Sequence, residues 1–129
     1  MLLLDTNIVS YFFKEHRIVK AYFPILLGRD AAISFQSKAE MEAGSLVAKW
    51  SSRRRLQLDT FLSQYKVLHS DDDICFWWAH IQLQRKSQPI SVGDAWIAAT
   101  AMSYDLELVT HNPKDFQGIP GLRIITVIR

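Results

Sequence analysis

Apolar residues follow two alternating rhythms along the chain. Short unbroken runs stand at 2–4 (LLL), 31–35 (AAISF), 66–68 (KVL), 107–109 (ELV) and 124–128 (IITVI). Runs of this length suit buried strands, although one run alone does not separate a strand from a buried piece of helix. The stretches between them resolve this, because they carry helical spacing. Leu58, Phe61, Leu62 and Tyr65 fall at i, i+3, i+4, i+7 within 56–65, and Ile74, Trp77, Trp78 and Ile81 repeat the pattern within 73–86. Residues 95–104 (AWIAATAMSY) are alanine-rich, so a helix there can approach a sheet closely. A helix from about 17 to 27 is expected to bend or end at Pro24. Strands alternating with helices predict an α/β fold, a parallel sheet with helices on both faces. Such sheets bind ligands beyond the carboxyl ends of their strands, and that is where chemistry is sought.

Composition bounds the picture. The 129 residues fit one compact domain, 1–129, with one core. Hydrophobic residues make up 49% of the chain, with four Trp and seven Phe, enough to bury a core without help. No repeat, low-complexity tract or Pro/Gly-rich linker divides it. The single Cys75 excludes an internal disulfide framework and a cysteine zinc cluster, and it suits a reducing cytosol. The opening MLLLDTN has no basic n-region, so no signal peptide is expected. No segment approaches the roughly 18 apolar residues of a membrane span.

Four acids stand out, at least three of them where this fold would place a site, with Asp94 following no identifiable strand. Asp5 directly follows the first strand. Glu40 lies five residues after AAISF, in the first turn of the next helix, and Asp115 lies shortly after LELVT. Asp94 opens the alanine-rich helix in SVGDAWIAA. Each also has a plain structural reading. Asp5 would cap a helix starting near Asn7. Ser37 to Glu40 would form a capping box. Asp94 would be an N-cap. Asn112 would cap a turn that begins with Pro113, with Asp115 complementing its dipole. Together, however, several carboxylates on one sheet edge repel one another and raise one another's pKa values. A hard divalent cation such as Mg2+ or Mn2+ takes oxygen ligands and relieves that repulsion. His16, His69, His80 and His111 are scattered and offer no zinc spacing.

The quartet and its surroundings resemble the PIN-domain ribonucleases, and within them the VapC-type toxins of toxin–antitoxin pairs. LLLDTNIVSYF looks like the family's opening strand followed by Asp, Thr/Ser and Asn. ISFQSKAEMEAG is similar to its Ser, Glu, Gly pattern and aligns Glu40 with the second acid. GDAWIAATA resembles the Asp-x-x-Ile-Ala-Ala-x-Ala helix start, and LVTHNPKDF resembles Thr-x-Asn-x-x-Asp-Phe. Each motif alone is weak, but four in this order and spacing are specific, and they span nearly the whole chain. Met41 replaces the usual Leu, and Trp96 stands beside the third acid where smaller aliphatics are common. Glu42 competes for the second place but points about 200° away from Glu40 on a helix. The resemblance implies a three-layer α/β/α sandwich with about five parallel strands. It also implies Mg2+- or Mn2+-dependent cleavage of RNA, an antitoxin partner, a homodimer and a cytoplasmic protein. On this reading Asp5, Glu40, Asp94 and Asp115 hold the metal and carry the chemistry, with Asn112, through its carbonyl oxygen or a held water, the alternative to Asp115 in the fourth place, while Thr6, Asn7, Thr110 and Asn112 hold the acids in place.

Two other functions compete: a structure-specific DNA nuclease of the same fold, and a non-catalytic RNA- or protein-binding module. DNA nucleases of this fold are usually longer, and the intact quartet argues against a module without chemistry. The net charge is +2; setting the quartet aside leaves 15 basic residues against 9 acidic ones, which suits a phosphate backbone. SSRRRLQ (51–57) is the densest basic run, either a solvated helix face or a contact with RNA or antitoxin. Lys14, His16, Arg17, Arg85 and Lys86 are weaker candidates of the same kind, and His111 is a further RNA candidate. Trp77 and Trp78 read as core or interface, Asp71–Asp73 as a helix start, and Cys75 as a small buried hydrophobe.

Overall fold

Leu2–Leu4 forms β1, and it lies at the centre of the sheet. The computed structural model describes residues 1–128. After β1 come α1 (Thr6–Phe13), α2 (Val19–Leu26), β2 (Ala31–Ser34), α3 (Phe35–Val47) and α4 (Ser52–Leu62). Then follow β3 (Lys66–Leu68), α5 (Asp72–Gln84), α6 (Val92–Tyr104), β4 (Glu107–Val109), a 3-10 helix (Pro113–Phe116) and β5 (Ile124–Ile125). All strand pairs are parallel, in the order β3-β2-β1-β4-β5. The strand order reverses direction at β1, so the crevice where ligands gather opens beside Asp5.

The three leucines of β1 are fully buried because the sheet is covered on both sides. Leu3 faces α5 and α6, among Ile74, Ile81, Ile97 and Ala98. Leu2 and Leu4 face the opposite layer, among Ile8, Val9, Tyr22, Met41, Leu58 and Leu62. This is strand alternation applied to a sheet between two helical layers, and it gives the predicted three-layer α/β/α sandwich. The buried alanines Ala95, Ala98, Ala99 and Ala101 hold α6 close to the sheet. Trp78 of α5 stacks on Trp96 of α6 with ring centroids 5.1 Å apart, which places both in this layer.

Boundaries moved for local reasons. β2 ends at Ser34 because Ser34 caps α3, its Oγ accepting from Ser37 N–H at 3.1 Å. Glu40 therefore sits in the second turn of α3, and the expected Ser37–Glu40 capping box does not form. Ser91, not Asp94, caps α6, which puts Asp94 inside the first turn. β5 stops at Ile125, and Thr126 Oγ1 then accepts from Ile128 N–H at 3.1 Å. The helix expected over 56–65 runs from Ser52 to Leu62, because Ser51 caps it three residues before Arg54. α2 stops at Leu26, within a turn of Pro24, as expected. Asp71 caps α5 with Asp72 and Asp73 in its first turn. Cys75 is exposed rather than buried. No helix among the described residues is long and apolar enough to cross a membrane.

Candidate active site

Asp5 leaves β1 and caps α1, so its carboxylate is positioned by backbone before any ligand is considered. Its Oδ1 accepts from Thr6 N–H at 2.8 Å, and its Oδ2 accepts from the Thr110 hydroxyl at 2.8 Å. Its own N–H donates to Val109 O at 2.9 Å, which locks the exits of β1 and β4 together. Asp5 is only 5% exposed. Burial pushes its pKa from 3.8 up to about 6, with the negative charges of Asp94 and Glu40 adding to the rise and the bonds from Thr110 and Thr6 opposing it.

Glu40 reaches the same cup from α3. Its carboxylate accepts a hydrogen bond from the Thr6 hydroxyl, which contacts Ser37 Oγ at 2.8 Å. Ser37 is fully buried, so the hydroxyl pair is held in place. Asp94, from the first turn of α6, has a raised pKa too. Burial is the largest cause, and the charges of Asp115 and Glu40 add to it; a hydrogen bond with Ser91 and the charge of Arg85 work the other way. Asp94 thus feels three partners: Asp5, Glu40 and Asp115. Asp115 itself is exposed on the 3-10 helix.

The cup is gathered but not closed. Among the described residues, no three Asp, Glu, His or Cys side chains stand close enough to share one ion. Glu40 is turned towards Thr6, and both oxygens of Asp5 are already engaged. None of the described ion pairs, Arg29–Glu107, Lys38–Glu42 and Arg123–Asp105, neutralises the four acids.

The supporting residues divide. Thr6 and Thr110 hold Glu40 and Asp5 directly, and Thr110 Oγ1 also accepts from Asn112 N–H at 3.0 Å. Asn112 begins the 3-10 helix without a side-chain cap, so its expected capping bond is absent. Asn7 is exposed and lines a cleft with Thr6, Glu40 and Lys14. Glu42 is drawn away into its ion pair with Lys38, as helix geometry predicts.

Sequence reading misplaced Arg85 among the surface cations. It is 6% exposed. Its guanidinium donates to Gln88 O at 2.7 Å, Gln117 O at 2.6 Å and Asp115 O at 3.3 Å. One buried fork thus ties the end of α5 to the segment that carries Asp115. No local pattern in the sequence marks it, because a charged residue at a helix end ordinarily reads as solvated. Gly93 was missed as well. A Cβ there would stand 3.0 Å from Glu40 Oε1 and 3.1 Å from Gln36 Nε2, so the bare backbone lets Glu40 approach α6. The available signal was Ser91-Val92-Gly93-Asp94, a capping pattern that, with Ser91 as the cap, puts Gly93 and Asp94 together in the first turn.

A cleft of about 770 Å3 lies at the other end of α1, between Phe13, Lys14 and the basic face of α4. There Arg54 lies over Trp50 at 4.6 Å and over Phe13 at 5.1 Å, so the arginine run is not a purely solvated face.

Residues 2–122 match the PIN domain family. The chain is 32% identical over 126 residues to Ribonuclease VapC1 of Haemophilus influenzae, covering 94% of this chain and 93% of that one. It is 31% identical over 127 residues to the tRNA(fMet)-specific endonuclease VapC of Salmonella typhimurium, covering 95% and 94%. Among solved structures it resembles VapBC2 from Rickettsia felis bound to a promoter DNA fragment. There the TM-score is 0.83 at 28% identity, with 97% of each chain covered.

Proposed function

The chain belongs to the PIN-domain family, within its VapC group, and on that footing we propose that it is a Mg2+- or Mn2+-dependent endoribonuclease, a toxin neutralised by a cognate antitoxin. The observation that carries this reading is the acid cup. Four carboxylates from four distant segments interact at the exit of β1 and β4, with no described ion pair to offset them. Relatives named as VapC ribonucleases and structures named as VapBC complexes support the RNA substrate and the antitoxin. A second copy of the chain is proposed as a further partner.

The chemistry of the donor set suits a hard divalent cation: carboxylate oxygens without thiolate or imidazole, near enough that their charges add to the burial that raises the pKa values of Asp5 and Asp94. Asp5, Glu40 and Asp94 would hold it, in part through water because no three of these acids stand close enough to share one ion directly, with Asp115 at the open side. Such an ion supplies neutralisation of the phosphate and a water of lowered pKa. The remaining work belongs to the chain. Thr6 and Thr110 fix which oxygens of Asp5 and Glu40 face the cup. Arg85 holds the turn that presents Asp115.

The test is cleavage of single-stranded RNA by the purified chain in Mn2+ or Mg2+. Internal cuts are expected, lost in EDTA, and slowed by about a hundredfold or more in a folded Asp94→Asn variant. Full activity in EDTA would remove the metal from the mechanism. Flapped and single-stranded DNA run beside the RNA would expose a DNA nuclease.

A further inference from the structure

We propose that the cleft on the far side of the 3-10 helix is a nucleobase subsite, which selects the RNA base standing next to the cut. The inference rests on the ribonuclease reading and adds where that enzyme reads sequence.

The cleft holds about 560 Å3, within the range of pockets that enclose a small molecule. Its walls are His111, Asn112, Pro113, Gln117, Thr126 and Ile128. Lys114 and Asp115 also line it, and the same two residues line a second, polar cleft with Asp94 and Arg85. The 3-10 helix is therefore a ridge between the acids and this pocket. A strand cut at the proposed acid site would pass its next nucleotide over this ridge, where Lys114 stands to meet the backbone.

The walls suit a base. The His111 ring is held in place, its Nδ1 lying 2.6 Å from the buried Tyr22 hydroxyl. It also packs edge-on against Tyr11 and Tyr22 at 5.8 Å and 5.6 Å. Single-stranded RNA is read by stacking bases on such rings and by hydrogen bonds to base edges. Amides that donate and accept are present for the second task. Asn112 spends no side-chain bond on capping its helix, and Gln117 is anchored through its backbone carbonyl by Arg85, which leaves its carboxamide exposed. Pro113 and Ile128 supply apolar surface for the rest of the base.

Two measurements test this. In the first, the four ribonucleoside monophosphates are titrated into the unmodified chain in EDTA, followed by NMR at the His111 imidazole and the Gln117 carboxamide. One base is expected to bind about tenfold more tightly than the weakest, a discrimination typical of paired edge contacts. Shifts that do not depend on the base, or no shifts, would overturn the proposal. In the second, cut positions in a random single-stranded RNA pool are sequenced for the wild type, Gln117→Leu and His111→Ala. The base preference at one position beside the cut is expected to flatten in both variants. Gln117 is exposed, so its variant keeps the fold and the test stands even if His111→Ala does not fold. An unchanged profile in Gln117→Leu would overturn the subsite and leave the ribonuclease reading intact. Base-selective binding by a wild type that cuts no RNA would do the reverse. Variants that keep the profile but escape inhibition by the antitoxin would make this a protein-docking surface and overturn the base reading.

Discussion

Asp5 is buried, negatively charged and surrounded by like charge, and its pKa of about 6 against an ordinary 3.8 expresses that. Below pH about 4 the carboxyl is protonated both folded and unfolded, and it contributes nothing. Between the two values the folded chain keeps a proton that the unfolded chain releases, so stability falls as pH rises. Above pH about 6 the loss is complete, about 3 kcal/mol. In EDTA, Asp5→Asn should therefore gain stability over the wild type as pH climbs through this window. Urea midpoints at a series of pH values check it, and parallel curves for the two proteins would contradict it. Gly93 governs how closely Glu40 approaches α6. Alanine is favoured over glycine in a helix by about 1 kcal/mol. Its Cβ would meet only the flexible ends of Glu40 and Gln36. Gly93→Ala should therefore fold at least as well as the wild type but bind Mn2+ more weakly, because Glu40 is pushed from the cup. Thermal unfolding and calorimetry together decide this. Undiminished Mn2+ affinity would show that Glu40 does not need the approach.

Elements set how firmly the site is held. The 3-10 helix is four residues long, and Arg85 secures it from outside by binding Asp115 O and Gln117 O. Arg85→Met leaves those carbonyls without their partner, at a cost of about 1–3 kcal/mol. Amide exchange in 113–118 should accelerate while β1 stays protected, and RNA cleavage should fall. Arg85→Lys keeps the charge but not the fork, and should recover only part of the loss. Uniform acceleration across the whole chain would mean that Arg85 serves global stability alone. The strands and the larger helices were legible in the sequence because their apolar spacing is local. Their caps were not. Ser34 and Ser91 were passed over for Ser37 and Asp94, since any nearby Ser or Asp satisfies the same pattern until the backbone chooses one.

At the scale of the molecule, the sandwich turns sequence-distant acids into neighbours and holds them against their repulsion. A ligand that binds only the folded state stabilises it by about 2.7 kcal/mol at a hundred times its dissociation constant. Mn2+ should therefore raise the melting temperature of the wild type and leave that of Asp94→Asn nearly unchanged. Equal gains in both would place the ion elsewhere. The four acids were recognisable beforehand because their motifs surround the ends of short buried runs. Arg85 and Gly93 were not, because their roles depend on groups from other segments: Arg85 reaches Asp115 and Gln117 some 30 residues away, and Gly93 faces Glu40 and Gln36.

The amino-acid pattern alone specifies a parallel α/β sheet between helical layers and singles out four acids as candidates near the carboxyl ends of its strands. Periodicity and residue type are properties of neighbours in the chain, and they survive without a fold. It took the folded chain to show that Asp5 is nearly sealed from water, that Glu40 leans on Thr6, that Arg85 is a buried clamp, and that the cup stands open. Burial and long-range hydrogen bonding depend on what packs against a residue, and one strand of sequence does not contain its partner's position.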